Sequence, residues 1–127
     1  MRALLAAVPS PIWARDEAGK LAFVNHAYAR AVEAKDAAEA VERDTELFEH
    51  GGRSELLRAH EAATPYSGRL AAVVAGDRRS FDVMTVPAAR GSAGIGIDAT
   101  ESELMRAELK RVAALLPRLR SLNEPRY

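Results

Sequence analysis

The chain has 127 residues, of which 18 are basic and 18 acidic, and it contains no cysteine. This length is typical of one domain, and the balanced charge excludes strong long-range attraction to nucleic acid or to anionic membranes. The missing cysteine excludes disulfides, thiolate metal sites and cysteine nucleophiles, and it fits a reducing compartment. No apolar run approaches membrane-spanning length. We therefore expect a cytoplasmic protein with no nucleic-acid partner and no membrane contact.

The first part of the chain predicts a short helix and then a β-hairpin. Residues 2–8 have the composition of a short amphipathic helix. Residues 12–24 form two short apolar runs around a turn, in which Gly19 supplies the positive φ that such turns need. Asn25 is a favourable N-cap residue, and it predicts a helix over residues 26–33.

The middle of the chain predicts helices. Residues 36–50 are rich in alanine and glutamate and predict one or two short helices. Gly51 and Gly52 are expected to end this region, because paired glycines mark chain breaks. Residues 53–63 then predict a further helix.

A second β region follows. Residues 69–75 and 80–86 predict a hairpin with a tight turn at residues 76–77. Residues 87–92 are expected to form a surface loop, and residues 93–99 a fifth strand. Two strand groups separated by helices indicate an α+β domain with an antiparallel sheet.

The fifth predicted strand alternates between two residue types. Ala93, Ile95 and Ile97 alternate with Gly94 and Gly96, which predicts a strand with one buried face. The paired glycines are expected to allow close approach of a packed helix.

A long helix is predicted directly after this strand. Thr100 stands three residues before Glu103, the spacing of a capping box that begins a helix. Helix-forming residues continue to Leu122 and are interrupted by Pro117. A strand joined directly to a protruding helix indicates an output element.

Three stretches carry a family resemblance. Residues 11–25 look like the opening hairpin of the PAS domain family, Asn25-His26-Ala27-Tyr28 matches its usual Asn-x-Ala-aromatic helix start, and Asp98-Ala99-Thr100 is similar to the Asp-x-Thr that closes many bacterial members. The resemblance extends from about residue 3 to residue 105. The sequence therefore resembles a PAS domain over nearly its whole length.

The resemblance implies a five-stranded antiparallel sheet in the order 2-1-5-4-3, with short helices on one face and a C-terminal output helix. We expect a flanking helix over residues 1–9, the PAS domain over 10–100 and the output helix over 101–127. The family implies a non-catalytic sensor or dimerisation module that regulates a downstream effector. In bacteria that effector is often the histidine kinase of a two-component pathway.

Four residues are expected to transmit a signal from the sheet to the output helix. Asp98 and Thr100 are either simple turn and cap residues or parts of a latch, in which Asp98 pairs with a basic residue of the first hairpin. Arg15 is the nearest candidate for that partner. The predicted transmission residues are Asp98, Thr100, Glu103 and Arg15.

The predicted output helix carries a heptad pattern of apolar residues. Met105, Val112 and Leu119 recur at seven-residue spacing, Leu115 occupies a matching position, and Glu108 interrupts the series. This seam favours a parallel homodimer, which the N-terminal flanking helix is expected to join. The alternative is a helix that folds back onto its own sheet.

A ligand in the core stays open as an alternative to a core filled by side chains. His60 is the one candidate haem ligand, because haem-binding members of the family place a histidine on the corresponding helix. The candidate ligand contacts are His60, Leu56, Tyr28 and Phe81. We expect no metal and no tightly bound cofactor, with haem or a small apolar ligand as the alternative.

Two further functions compete with a sensor. One is a constitutive dimerisation or docking domain, with a partner protein on the sheet or on the helices and no ligand. The other is a small stand-alone enzyme, which the lack of paired catalytic residues disfavours.

Overall fold

The structure, a computed structural model, describes residues 8–115, without the side chains of Glu101, Ser102 and Met105. The predicted flanking helix at the N-terminus therefore lies almost wholly outside the described residues. Pro117, Leu119 and the side chain of Met105 also lie outside them.

Within residues 8–115, five strands and four helices follow one another in the order that the sequence predicts. In chain order they are β1 (Ile12–Arg15), β2 (Leu21–Val24), α1 (His26–Ala31), α2 (Ala37–Glu42), α3 (His50–Ala62), β3 (Tyr66–Val74), β4 (Asp77–Ala88), β5 (Gly91–Asp98) and α4 (Thr100–Ala113).

The strands form one antiparallel sheet in the order β2-β1-β5-β4-β3, as the family resemblance implies. The last strand, β5, lies in the centre between β1 and β4. Helices α1 to α3 contribute residues to one core cluster with the inner face of the sheet, so the fold class is α+β. The strand that leads into α4 is therefore in contact with both halves of the sheet.

Local side chains begin the hairpin and α1 as predicted. The Asp16 carboxylate accepts hydrogen bonds from the Ala18 and Lys20 amides, and Gly19 has a φ of 84°. Asn25 is the N-cap of α1, because its Oδ1 accepts from the Tyr28 amide. The same oxygen accepts from the Ile12 amide, which joins the start of β1 to the start of α1.

Three predicted boundaries are wrong, each for a local reason. Gly51 and Gly52 lie inside α3 instead of ending a helix. A Cβ on Gly52 would lie 3.1 Å from the Leu70 side chain, so the glycine allows α3 to approach β3 closely. The β3–β4 turn is at Ala75 and Gly76, one residue earlier than predicted, with positive φ at both. The predicted loop at 87–92 is mostly strand, because β4 and β5 pair out to Ala88 and Gly91.

The buried face of β5 is formed by its glycines. Gly94 and Gly96 are buried, whereas Ile97 is half exposed on the outer face. The ring of Trp13, not a helix, lies against Gly94, and Phe48 and Phe81 lie against Gly96. The alternation of β5 is thus confirmed, while its isoleucines face away from the helices.

Aromatic rings fill the core between the sheet and the helices. Trp13 lies 5.4 Å from Phe48 and 5.9 Å from Tyr28, measured between ring centroids, and Phe48 lies 5.9 Å from Phe81. Edge-on contacts at these distances stabilise a core beyond the simple burial of apolar surface. Leu56 of α3 joins the same cluster.

Candidate signal-transmission site at the junction of strand β5 and helix α4

The junction between β5 and α4 is bonded to the neighbouring strand β4. The Ala99 amide donates to the Ser80 carbonyl at 2.8 Å, and the Ser80 amide donates to the Thr100 hydroxyl at 2.8 Å. Ala99 itself is buried. The first residues of α4 are therefore continuous with the sheet ladder.

Asp98 completes the junction with two hydrogen bonds. Its Oδ2 accepts from Arg79 Nε at 2.5 Å, and its Oδ1 accepts from the Thr100 amide at 2.9 Å. Burial raises the pKa of the Asp98 carboxyl, but the hydrogen bonds from Arg79 and Thr100 outweigh that effect and hold the pKa below its ordinary value. Asp98 is therefore ionised at neutral pH and links β4, β5 and α4.

Glu103 connects α4 to the outer face of the sheet. Its carboxylate forms an ion pair with Arg69 of β3, and Arg69 also pairs with Asp82 of β4 at 2.9 Å. All three side chains are partly exposed, so each pair contributes little to stability by itself. Their arrangement nevertheless fixes the direction in which α4 leaves the sheet.

The predicted pairing of Asp98 with Arg15 is wrong. Arg15 faces Ser92 in the β1–β5 register, so six residues of extended strand, about 20 Å, separate it from Asp98. Arg15 is instead buried against Glu46, with its guanidinium 2.9 Å from both carboxylate oxygens. The Tyr28 hydroxyl lies 3.2 Å from Oε2 of the same glutamate. Burial is the main cause that raises the pKa of Tyr28, and the negative charge of Glu46 is the second.

The predicted capping box at Thr100 and Glu103 is also wrong. The N-cap of α4 is Ala99, which makes no side-chain capping hydrogen bond, and the Asp98 carboxylate accepts from the first amide of the helix, that of Thr100. The Thr100 hydroxyl is occupied by the Ser80 amide, and the Glu103 carboxylate by Arg69. Both residues lie at the junction as predicted, but they bind the sheet.

Sequence reasoning missed Arg79 and Arg69, the basic partners at the junction. In the sequence, Arg79 is one of two adjacent arginines, and nothing there indicates that it is the partner of Asp98. The signal that could have identified Arg79 is the two-residue turn at Ala89 and Arg90. Counting along both strands from this turn pairs Asp98 with Phe81. Arg79, two residues before Phe81, then lies on the same face of the sheet as Asp98.

An apolar stripe runs along the exposed surface of α4. Leu104, Leu109, Val112 and Leu115 are all largely exposed, and helical geometry places them within one side of the helix. The stripe includes Val112 and Leu115 of the predicted seam.

The outer face of the sheet is a second exposed apolar surface. Val73, Met84, Val86 and Ile97 are each about half exposed there.

Three of the four predicted ligand contacts share one cluster. Tyr28, Leu56 and Phe81 lie in the core between the sheet and the helices. His60 lies at its edge, where Nδ1 is 2.7 Å from the Ser92 hydroxyl and Nε2 is 3.4 Å from the Glu17 carbonyl. Both ring nitrogens thus face protein partners.

A cleft of about 400 Å³ lies elsewhere, at the end of β5. It is bounded by residues 9–11, by α1 and by the β3–β4 turn, and both Asp98 and Arg30 line it. Within residues 8–115 no three side chains cluster as metal ligands, and no helix there has the length and apolarity to cross a bilayer.

The model of the PAS fold matches residues 1–93 of the chain, which is well over half of its length. The chain belongs to the PAS family. Its sheet order and short helices are those of the PAS fold, and it is a PAS sensory or regulatory domain. No curated protein matches the sequence.

Solved PAS structures resemble this PAS domain. The PAS domain from Bordetella pertussis BvgS is 27% identical, with a TM-score of 0.56 over 93% of this chain and 95% of that one. A domain of a sensory box sensor histidine kinase/response regulator from Geobacter sulfurreducens is 19% identical, with a TM-score of 0.63 over 76% and 90% of the two chains.

The Vibrio cholerae VqmA dimer, described among LuxR-type receptors that bind DNA, is a third similar structure. It is 12% identical, with a TM-score of 0.66 over 79% of this chain and 50% of that chain. This PAS domain thus spans half of VqmA. The similar folds belong to proteins with different outputs.

Proposed function

We propose that this PAS domain senses a ligand or a partner protein and transmits the event through β5 and α4 to a downstream effector across a parallel homodimer. The observation that carries the proposal is the continuity of the central strand with a helix whose apolar side is exposed. A shift in the sheet has a direct mechanical route to α4.

The polar contacts at the junction support a switch of this kind. Asp98, Thr100 and Glu103 join α4 to β3 and β4 through partly exposed contacts. Contacts of this kind hold one arrangement of the helix at a low cost of rearrangement. Allosteric coupling typically amounts to about 1–3 kcal/mol, which such contacts can supply.

The exposed stripe supports the dimer. In a parallel pair, Val112 and Leu115 of each copy occupy the a and d positions of the heptad and meet their counterparts. Leu104 and Leu109 flank them, so that pairing removes the stripe from water. The outer face of the sheet is exposed and apolar at Ile97 and Met84, and we propose that it extends the interface.

A histidine kinase is our proposed effector, acting in a two-component pathway of the bacterial cytoplasm. The similar domain from Geobacter sulfurreducens belongs to a sensor histidine kinase/response regulator. The charged and apolar pattern of α4 is that of a helix continuing into such an effector.

A constitutive docking or dimerisation domain is the second candidate. The contacts among Trp13, Phe48 and Phe81 support it, because these three rings pack against one another in the core, where a ligand would otherwise lie. This candidate has the same dimer but no ligand response.

The dimer is tested by light scattering on the 127-residue chain. Val112→Asp combined with Leu115→Asp places charges in the stripe and is expected to give a monomer, whereas Lys110→Asp on the opposite side leaves the dimer intact. A monomeric wild type, or a double variant that remains dimeric, would contradict the stripe as the interface.

The effector is tested in the full-length protein by its autophosphorylation with ATP. Asp98→Asn and Arg79→Gln remove the same ion pair, so both are expected to change the kinase rate in the same direction while the domain stays folded. A full-length protein that incorporates no phosphate excludes the kinase, and unchanged rates in both variants exclude the junction as the route.

A further inference from the structure

The cleft at the end of β5 has one apolar wall and one charged rim. Its wall contains Ala27, Ala31, Val74 and Phe81 together with two prolines. Its volume of about 400 Å³ lies within the range of small-molecule sites. Of the four predicted ligand contacts, only Phe81 lines this cleft, whereas Tyr28, Leu56 and His60 do not.

The two charged residues of the cleft differ in their partners. Asp98 is fully engaged, because Arg79 and the Thr100 amide occupy its two oxygens. Arg30 lies in the last turn of α1 and is exposed, and its guanidinium has no hydrogen-bond or ion-pair partner within residues 8–115. The charge left available to a bound molecule is therefore positive.

We propose that this cleft binds a small organic carboxylate with a short apolar tail. The carboxylate pairs with the Arg30 guanidinium, which presents a planar set of donors suited to bidentate binding. The tail packs against Ala27, Val74 and Phe81, which line the cleft behind it. This inference rests on the proposed function and names its ligand class.

The position of the cleft connects such a ligand to the output helix. Phe81 and Asp98 face each other in the β4–β5 register, and both line the cleft. A molecule in the cleft therefore contacts the residue that holds the start of α4. A molecule bound in the cleft stabilises the arrangement of Asp98 and Arg79 that leaves the larger space for that molecule.

Hexanoate is the probe for the test, and hexanol is its neutral control. The 127-residue chain is labelled with nitrogen-15 and titrated while amide shifts are followed by NMR. Hexanoate is expected to give saturating shifts at Ala27, Arg30, Val74 and Ala75, and hexanol to bind much more weakly. Arg30→Gln is expected to weaken hexanoate binding about tenfold, as loss of a charge-assisted pair does. Arg58→Gln, an exposed arginine of α3 outside the cleft, serves as the matched control and is expected to have no effect.

A second variant tests the apolar wall. Ala27→Phe fills the cleft from α1 and is expected to abolish the shifts while leaving the folded spectrum. Equal binding of hexanol, shifts confined to the core around Leu56, or unchanged affinity in both Arg30→Gln and Ala27→Phe would overturn the site.

Binding and dimerisation are measured separately in this design. Saturable binding at the cleft in a monomeric chain would support the site and contradict the proposed dimer. A dimer without hexanoate shifts would contradict the site and leave the dimer standing.

Discussion

Position 94 has room for a hydrogen atom but for no methyl group. A Cβ built on Gly94 would lie 2.5 Å from the Trp13 ring and 2.9 Å from the Thr85 side chain. At Gly96, on the same strand and the same face, the nearest atom would lie 3.4 Å away, on Phe48. Two glycines with the same sequence context therefore have different roles, and only the first is sterically required.

We predict that Gly94→Ala destabilises the domain by about 1–3 kcal/mol, because the Trp13 ring must move out of the core. Gly96→Ala is expected to change the free energy of unfolding by less than about 0.5 kcal/mol, since its contacts are ordinary. Urea denaturation followed by tryptophan fluorescence measures both. Equal losses in the two variants would show that glycine is needed here for strand geometry and not for contact with Trp13.

The buried pair of Arg15 and Glu46 is the other residue-scale feature that defines the core. It connects β1 to the segment after α2, and Tyr28 donates to the Thr45 carbonyl in that segment at 2.8 Å. From the sequence, Arg15 is predicted to pair with Asp98. Its burial depends on a glutamate 31 positions away, a long-range pairing that spacing along the chain does not indicate.

At the scale of elements, the β5–α4 junction depends on the charge of Asp98. A carboxyl whose pKa is lower in the folded chain stabilises the fold above its unfolded pKa, and the contribution is lost as the pH falls through the folded pKa. The pKa of Asp98 lies below its ordinary 3.8, because the bonds from Arg79 and Thr100 outweigh the effect of burial. The stabilisation is therefore complete at neutral pH and disappears in acid.

We predict that Asp98→Asn lowers the free energy of unfolding by less than about 1 kcal/mol at neutral pH, since the ion pair is partly exposed. The difference from wild type is expected to stay constant down to pH 5 and to shrink below about pH 4, as the wild-type carboxyl takes up its proton. Urea denaturation across this pH range measures it. Asp77→Asn, at the exposed start of β4, is the control, and a gap that does not shrink as the pH falls below 4 would contradict the assignment.

The element order was predictable because strand and helix periodicities are local. The Asn25 cap and the Gly19 turn depend on neighbours within four residues, and the structure confirms both. The sheet order came from the family resemblance and is also confirmed.

Two features could not be predicted from neighbours along the chain. They are the partners of the junction residues and the side of β5 that is buried. Ile95 and Ile97 are the obvious core residues by hydropathy, yet the approach of the Trp13 ring fixes the glycines on the inner face. As a result, Ile97 is half exposed on the outer face of the sheet. The partner of Asp98 depends on the register of β4 against β5. The loop predicted at 87–92 is four residues longer than the turn in the structure, so the prediction did not give this register.

At the scale of the whole molecule, we propose that two copies align their α4 helices in parallel, so that both sheets act on one paired output. Because the chain contains no cysteine, single cysteines at Arg106 or Ala113 can each carry one spin label without interference. Both positions are exposed on α4, and neither belongs to the stripe.

The decisive measurement is the distance between identical labels in the two copies, determined by double electron–electron resonance for each position in turn. A parallel pair predicts similar, short distances, below about 30 Å, at both positions, because equivalent residues lie across the same axis. Clearly unequal distances at the two positions would indicate antiparallel helices, and the absence of dipolar coupling would indicate no paired helices. Either result would contradict transmission across a parallel dimer.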